Sequence, residues 1–241
     1  MGGFAIHALF DVLAWLAAAA AGLWLMRSGR VTFPVPQPLR LSYLAVLMFG
    51  AGLGAVAFGS ANLWLSGQSG VARSIEGAVA GAILAIEIYK RFAGIAPRTG
   101  ARFALPFAVG VAVGRIGCFL SGAEDFTHGT PTSLPWAHDF GDGILRHPVQ
   151  LYESIAMAGF AAVYVWRVLR RDRLFIEQGF YLAVGFYGAQ RFVWEFIKPY
   201  GTLIGPFTLF HLLSAAVVVY AVAMIVTAPN SKESAHERAF A

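Results

Sequence analysis

Apolar residues along this chain fall into long unbroken blocks, not the alternation of half-buried strands or the stripes of soluble helices. The blocks run from about Phe4 to Met26, Leu41 to Leu65, Ile75 to Tyr89, Phe103 to Leu120, Val149 to Val165, Phe180 to Ile197 and Leu203 to Thr227. About 20 apolar residues cross a bilayer as a helix, so the pattern predicts an all-α integral membrane protein with seven transmembrane helices. No basic residue precedes the first block, whereas Arg27 and Arg30 follow it. A cleaved export signal carries its positive charge first, so this block is expected to be a retained helix. Residues 1–228 then form one transmembrane domain, and the polar segment 229–241 is expected to be a disordered cytoplasmic tail. Pro34, Pro36 and Pro38 are expected to hold the first loop stiff and extended. Gly50, Gly52, Gly54 and Gly59 in the second block, with Gly77 and Gly81 in the third, are spaced for close helix approach.

Composition agrees with the blocks: 58% of residues are hydrophobic and 13% charged, against roughly a quarter charged in soluble domains. Thirteen of the 18 basic residues lie in the first, third and fifth loops and the tail, while the alternate loops hold Arg73, Arg146 and Lys198. By the positive-inside rule the N-terminus faces out and the C-terminus faces the cytoplasm. The net charge of +5 is thereby a topology signal, and no nucleic-acid partner is expected. Cys118 is the only cysteine, which excludes an intramolecular disulfide and a multi-cysteine metal cluster.

The ionisable residues gather between Gly114 and Ser154, in the fourth loop and its flanking helix ends, on the predicted outer face. Charged groups concentrated in a greasy chain point to chemistry at that place. Arg115 sits just inside an apolar block and Arg191 lies within Tyr187-Gly-Ala-Gln-Arg-Phe-Val-Trp-Glu195. Arg191 is placed to pair with Glu195 one turn on, or to hold a phosphate with its planar guanidinium. The run Arg146-His147-Pro148-Val149-Gln150-Leu151-Tyr152-Glu153 serves either as a helix start with interfacial anchors or as part of a site. Glu76 opens the third block after Arg73 and Ser74, where a helix N-terminus favours an anion or a carboxylate faces the same cavity as Arg115. His7 and Asp11 are expected at the wet interface, His211 as a core histidine, and Glu87 with Lys90 and Arg91 as a snorkelling group.

Three segments, in order, resemble the prolipoprotein diacylglyceryl transferase family: Gly114-Arg115-Ile116-Gly117-x-Phe119, Arg146-His147-Pro148-x-Gln150-Leu151-Tyr152-Glu153, and Tyr187-Gly188-x-x-Arg191-x-x-x-Glu195-Phe196. The resemblance covers about Ser74 to Ser214, and the second segment is the most specific. It implies seven spans in a bacterial cytoplasmic (inner) membrane with the active face outside. The implied reaction moves diacylglycerol from phosphatidylglycerol to the lipobox cysteine thiol of a secreted precursor, releasing glycerol phosphate with no cofactor or metal. Arg115 and Arg191 take the positions of essential arginines, with Glu76 and His147 as further catalytic candidates. Tyr187, Glu195, Arg146, Gln150, Tyr152, Glu153 and Gly129 become candidate substrate contacts. The chain departs from the family at Glu76-Gly77-Ala78, where the family has His-Gly-Gly, at Cys118 in place of Asn, and at Ala123, which pushes an acidic residue to Glu124. These changes keep open a paralogue serving another outer-face acceptor, and a non-catalytic lipid-binding or transport protein on the same fold.

Overall fold

The computed structural model describes residues 3–228; the segment from Pro229, expected to be a polar tail, lies outside the described residues, as do the side chains of Phe4, Glu124 and Asp125. Within them are seven long helices: α1 (Gly3–Arg27), α2 (Arg40–Leu65), α3 (Ile75–Phe92), α4 (Ala104–Leu120), α5 (Val149–Leu169), α6 (Arg173–Glu195) and α7 (Leu209–Val226). Four segments, Ala5–Arg27, Gln37–Leu65, Ala101–Leu120 and Leu209–Val226, are long and apolar enough to cross a membrane. The protein is therefore an all-helical membrane protein. Of the other three helices, α3 brings Glu76, α5 brings Glu153 and α6 brings Arg191 and Glu195 into the interior, where Arg115 of α4 joins them.

Two helix starts differ from the apolar pattern. Helix α6 begins at Arg173, not near Phe180, because the Asp172 side chain accepts the Leu174 N–H at 3.0 Å and caps a polar first turn that hydropathy overlooks. Helix α7 begins at Leu209, since Thr202–Ile204 (β3) and Phe207–Thr208 (β4) pair as a short hairpin around Gly205, at φ 55°. The first loop is also tighter than expected: Gln37–Leu39 forms a 3₁₀ turn, and Val35 is buried against Tyr43, Ile86 and Ile95.

Helices α2 and α3 cross at glycine. A Cβ on Gly54 would lie 2.8 Å from Gly81 Cα, and one on Gly77 would lie 2.8 Å from Phe58 Cβ, so any side chain there forces the pair apart. Gly59 serves instead the approach of the Ala72–Arg73 backbone. Gly52 is not part of the crossing, as it falls on the opposite helix face with nothing within 4 Å.

The main core packs α4 against α5, α6 and the end of α1, through Leu25, Leu105, Ala108, Met157, Tyr164 and Tyr187. Helices α1 and α4 form one closely packed pair and α2 and α3 another. Between the pairs runs an apolar groove of about 480 Å³, from Asp11 and Gly114 at one end, past Met48 and Phe107, to Tyr43 and Glu87 at the other.

Candidate active site

Glu76 opens α3, Glu153 lies in the first turns of α5, and Arg115 sits near the end of α4. Arg191 and Glu195 close α6. These helix ends meet at one end of the bundle, where all five side chains are buried. Helix phase does the work on α5: Val149, Gln150, Glu153, Ser154 and Met157 are buried, while Ile155 is exposed.

Arg191 is the hub. Its Nε donates to Glu76 Oε2 at 3.2 Å, Nη1 to Glu153 Oε1 at 2.6 Å, and Nη2 pairs with Glu195 Oε2 at 3.1 Å. Every nitrogen of the guanidinium is thus engaged by a carboxylate, a geometry open to Arg and closed to Lys. Arg115 Nε pairs with Glu153 Oε2 at 2.5 Å, and Lys198 Nζ lies 2.9 Å from Glu153 Oε1. Three carboxylates thereby face three cations in a buried interior. A charge left alone there costs several kcal/mol, so the six groups are mutually obligatory.

Two hydroxyls complete the carboxylates. Ser214 Oγ donates to Glu76 Oε1, and Thr208 Oγ1 donates to Glu195 Oε1 at 2.8 Å. Thr208 also caps α7, accepting the His211 N–H while its own N–H reaches His211 Nδ1 at 3.0 Å. His211 is buried, as its sequence setting suggests, but its Nε2 has no hydrogen-bond partner among the described residues.

The two arginines, alike in sequence, differ in what they have left to give. Arg191 is saturated. Arg115 has one carboxylate, and among the described residues its only other hydrogen-bond partner is the Cys118 thiol at 3.8 Å from Nη1. Tyr187 Oη, Gln150 Oε1 and both amide atoms of Gln190 are buried without a hydrogen-bond partner among the described residues. Buried polar atoms without partners, and an arginine with donors unspent, are what a polar ligand would satisfy. Gly114, next to Arg115, and Ile75, next to Glu76, line the apolar groove.

The remaining sequence candidates form a rim outside this centre. Trp136 Nε1 donates to Tyr152 Oη at 2.7 Å, and His147 Nδ1 lies 3.3 Å from the same oxygen. His147 carries no carboxylate partner among the described residues. Gly129 is needed for close approach, since a Cβ would come 2.5 Å from His147 Cβ. Arg146 stands apart in a hairpin, His138–Asp139 (β1) against Leu145–Arg146 (β2), where it pairs with Asp142 Oδ1 at 2.6 Å. That hydrogen bond holds the Asp142 carboxyl below its usual range. His7 and Asp11 pair at 3.2 Å as partly exposed groups one turn apart on α1, with His7 Nε2 3.8 Å from Cys118 Sγ. Glu87 joins Lys90 at 3.3 Å and also accepts from Tyr220.

Sequence reasoning missed Lys198, Thr208 and Ser214. Lys198 counted only as a loop cation; its place three residues after Glu195, in a face otherwise poor in basic residues, was the available signal. The hydroxyls gave none.

The buried arginine–carboxylate centre thus lies beside an apolar groove at one end of an all-helical membrane protein. A family model described as prolipoprotein diacylglyceryl transferase matches residues 3–227, and the chain belongs to that family. It is 34% identical over 132 residues to the phosphatidylglycerol–prolipoprotein diacylglyceryl transferase of Geobacter sulfurreducens, covering 52% of this chain and 48% of that protein. The protein of that name from a Wolbachia of Brugia malayi is 36% identical over 133 residues, covering 52% and 49%. Both alignments thus span about half the relative's length. A Bordetella parapertussis protein of the same name is 28% identical over 221 residues, covering 85% and 82%.

Proposed function

We propose that this protein transfers diacylglycerol from phosphatidylglycerol to the lipobox cysteine thiol of a secreted precursor. In this reading residues 1–228 form one domain that crosses a bacterial cytoplasmic membrane seven times, N-terminus outside, with the site on the outer face. The observation that carries the reading is Arg115: a buried guanidinium with donors to spare, at the lip of an apolar groove able to take acyl chains.

The reaction breaks the bond between the glycerol carbon of the lipid and its phosphate oxygen. The precursor sulfur attacks that carbon, and glycerol phosphate leaves with the bonding electron pair. Charge on the phosphate oxygens grows as the bond breaks, so a guanidinium fixed in place stabilises the transition state more than the bound lipid. Arg115 contacts the phosphate. Arg191, with its fork spent on Glu76, Glu153 and Glu195, positions Arg115 through the shared Glu153. Tyr187, Gln150 and the Glu195 turn line the polar pocket, and Tyr152, Arg146 and Gly129 shape the rim where the precursor enters.

The thiol must lose its proton, and a free thiol titrates near 8.5. Glu153, facing three cations, is the poorest acceptor. Glu76 is spent on Arg191 and Ser214. His147 remains: with Nδ1–H donating to Tyr152 Oη, Nε2 keeps its lone pair for the incoming thiol. Glu76 then serves as a positioning residue where the resemblance places a histidine. That replacement also favours a second reading, a paralogue with another outer-face acceptor.

The test is direct. Purified protein is incubated with labelled phosphatidylglycerol and a lipobox peptide, and thioether product and glycerol phosphate are measured. Product in both channels supports the transferase. Glycerol phosphate release without thioether supports another acceptor, and neither product overturns the proposal.

A further inference from the structure

At the end of the bundle opposite the buried ion centre lies a second cavity, of about 230 Å³, lined by Leu25, Met26, Val31, Phe33, Arg40 and Arg102. Both guanidiniums gather on one ring: Arg102 Cζ is 4.3 Å from the Phe33 centroid and Arg40 Cζ is 6.0 Å from it. Phe33 is itself fixed edge-on against Tyr43 and Phe103, at 5.4 and 6.0 Å between centroids. Arg40 Nε donates to Val35 O at 3.1 Å, which spends one donor of a side chain that lines the crevice. Among the described residues Arg102 Nη2 reaches only the Met26 thioether, a weak acceptor carrying no charge.

Among the described residues no carboxylate pairs with either arginine, and these two are the ones gathered on the Phe33 ring. Two like charges held over one ring repel, and an anion between them removes that cost while accepting hydrogen bonds from both forks. We infer that this crevice is a binding site for a phosphate group, separate from the reaction site. Its apolar side walls, Leu25, Met26 and Val31, match a phosphate presented on an anionic phospholipid of the bordering leaflet. The same chemistry would take free phosphate, and the experiment separates the two.

Native mass spectrometry of the full-length protein in mild detergent, titrated with dioleoyl phosphatidic acid, counts lipid adducts and their affinities. The wild type should show one adduct class that Arg40→Gln/Arg102→Gln weakens by roughly tenfold or more. Arg27→Gln, an exposed arginine outside the crevice, should leave that class unchanged. Arg102→Lys keeps charge and loses the planar fork, so it should fall between. Inorganic phosphate in competition assigns the source: displacement of the adduct marks a free-anion site, and its persistence marks a lipid headgroup site. Should the double variant lose helicity, Arg40→Gln alone decides, because its side chain is exposed and its loss opens no cavity. Equal affinities in wild type and variants, or a loss in Arg27→Gln as large as in the double variant, would overturn the site in favour of a diffuse basic surface.

Discussion

Arg146 to Glu153 is one continuous run, yet its two halves live in different media. Arg146 pairs with Asp142 in a solvent-facing hairpin, and His147 and Tyr152 share a rim with Trp136. Gln150 and Glu153 are fully enclosed, and Glu153 alone touches Arg115, Arg191 and Lys198. Pro148 starts α5 between the halves, so helix phase sends every third or fourth residue inward and leaves the others at the mouth. Ion pairs in the two settings therefore do different work. An ion pair at the rim is screened and close to free, while one in the centre cannot lose a member without stranding its partners.

The largest expected effect falls in the centre. Glu153→Gln leaves three buried cations facing two carboxylates, and breaking such a cluster costs about 3–5 kcal/mol. Thermal unfolding in detergent should show a strong drop in Tm together with loss of turnover; an unchanged Tm would mean that water reaches the cluster. The next effect belongs to the rim. His147→Gln should lower kcat by about a hundredfold or more if the imidazole takes the thiol proton. Glu76→Gln should cost less, and the opposite ranking of the two would move the base to Glu76.

Arg115 and Arg191 sharpen the comparison within the centre. Arg191→Lys cannot meet three carboxylates at once, so both Tm and kcat should fall, kcat by at least about tenfold, or roughly 1.4 kcal/mol. Arg115→Lys should lower kcat with a smaller change in Tm, because it breaks one carboxylate contact. Equal losses of Tm would dissolve the distinction between a phosphate contact and a positioning residue. The smallest effect is Asp142→Asn, which removes the exposed hairpin pair. No measurable shift in Tm is expected, and a clear loss would show that the hairpin is part of the folded centre.

Much of this was legible in the chain. Apolar blocks located all seven helices, although among the described residues only four segments are long and apolar enough to cross a membrane. The three motifs located Arg115, Glu153, Arg191 and Glu195, since an ionisable residue inside a greasy block needs a reason to be there. Gly54, Gly77 and Gly81 marked a close crossing. The sequence was weakest where polarity and helix coincide: the first turns of α6 read as loop, though Asp172 caps them as helix.

Pairing was decided only by the tertiary structure. Glu76 and Arg191 are 115 residues apart, and Ser214 reaches Glu76 from another helix. Their meeting depends on how α3, α6 and α7 rotate about their axes, which no local pattern records. The same rotation spends the Arg191 fork and spares that of Arg115, gives Lys198 a carboxylate, and leaves Arg40 and Arg102 without one. The sequence by itself determined which residues are too costly to bury alone; the fold determined which of them share a partner and which keep donors free, because that depends on the distance between helices and not on position along the chain.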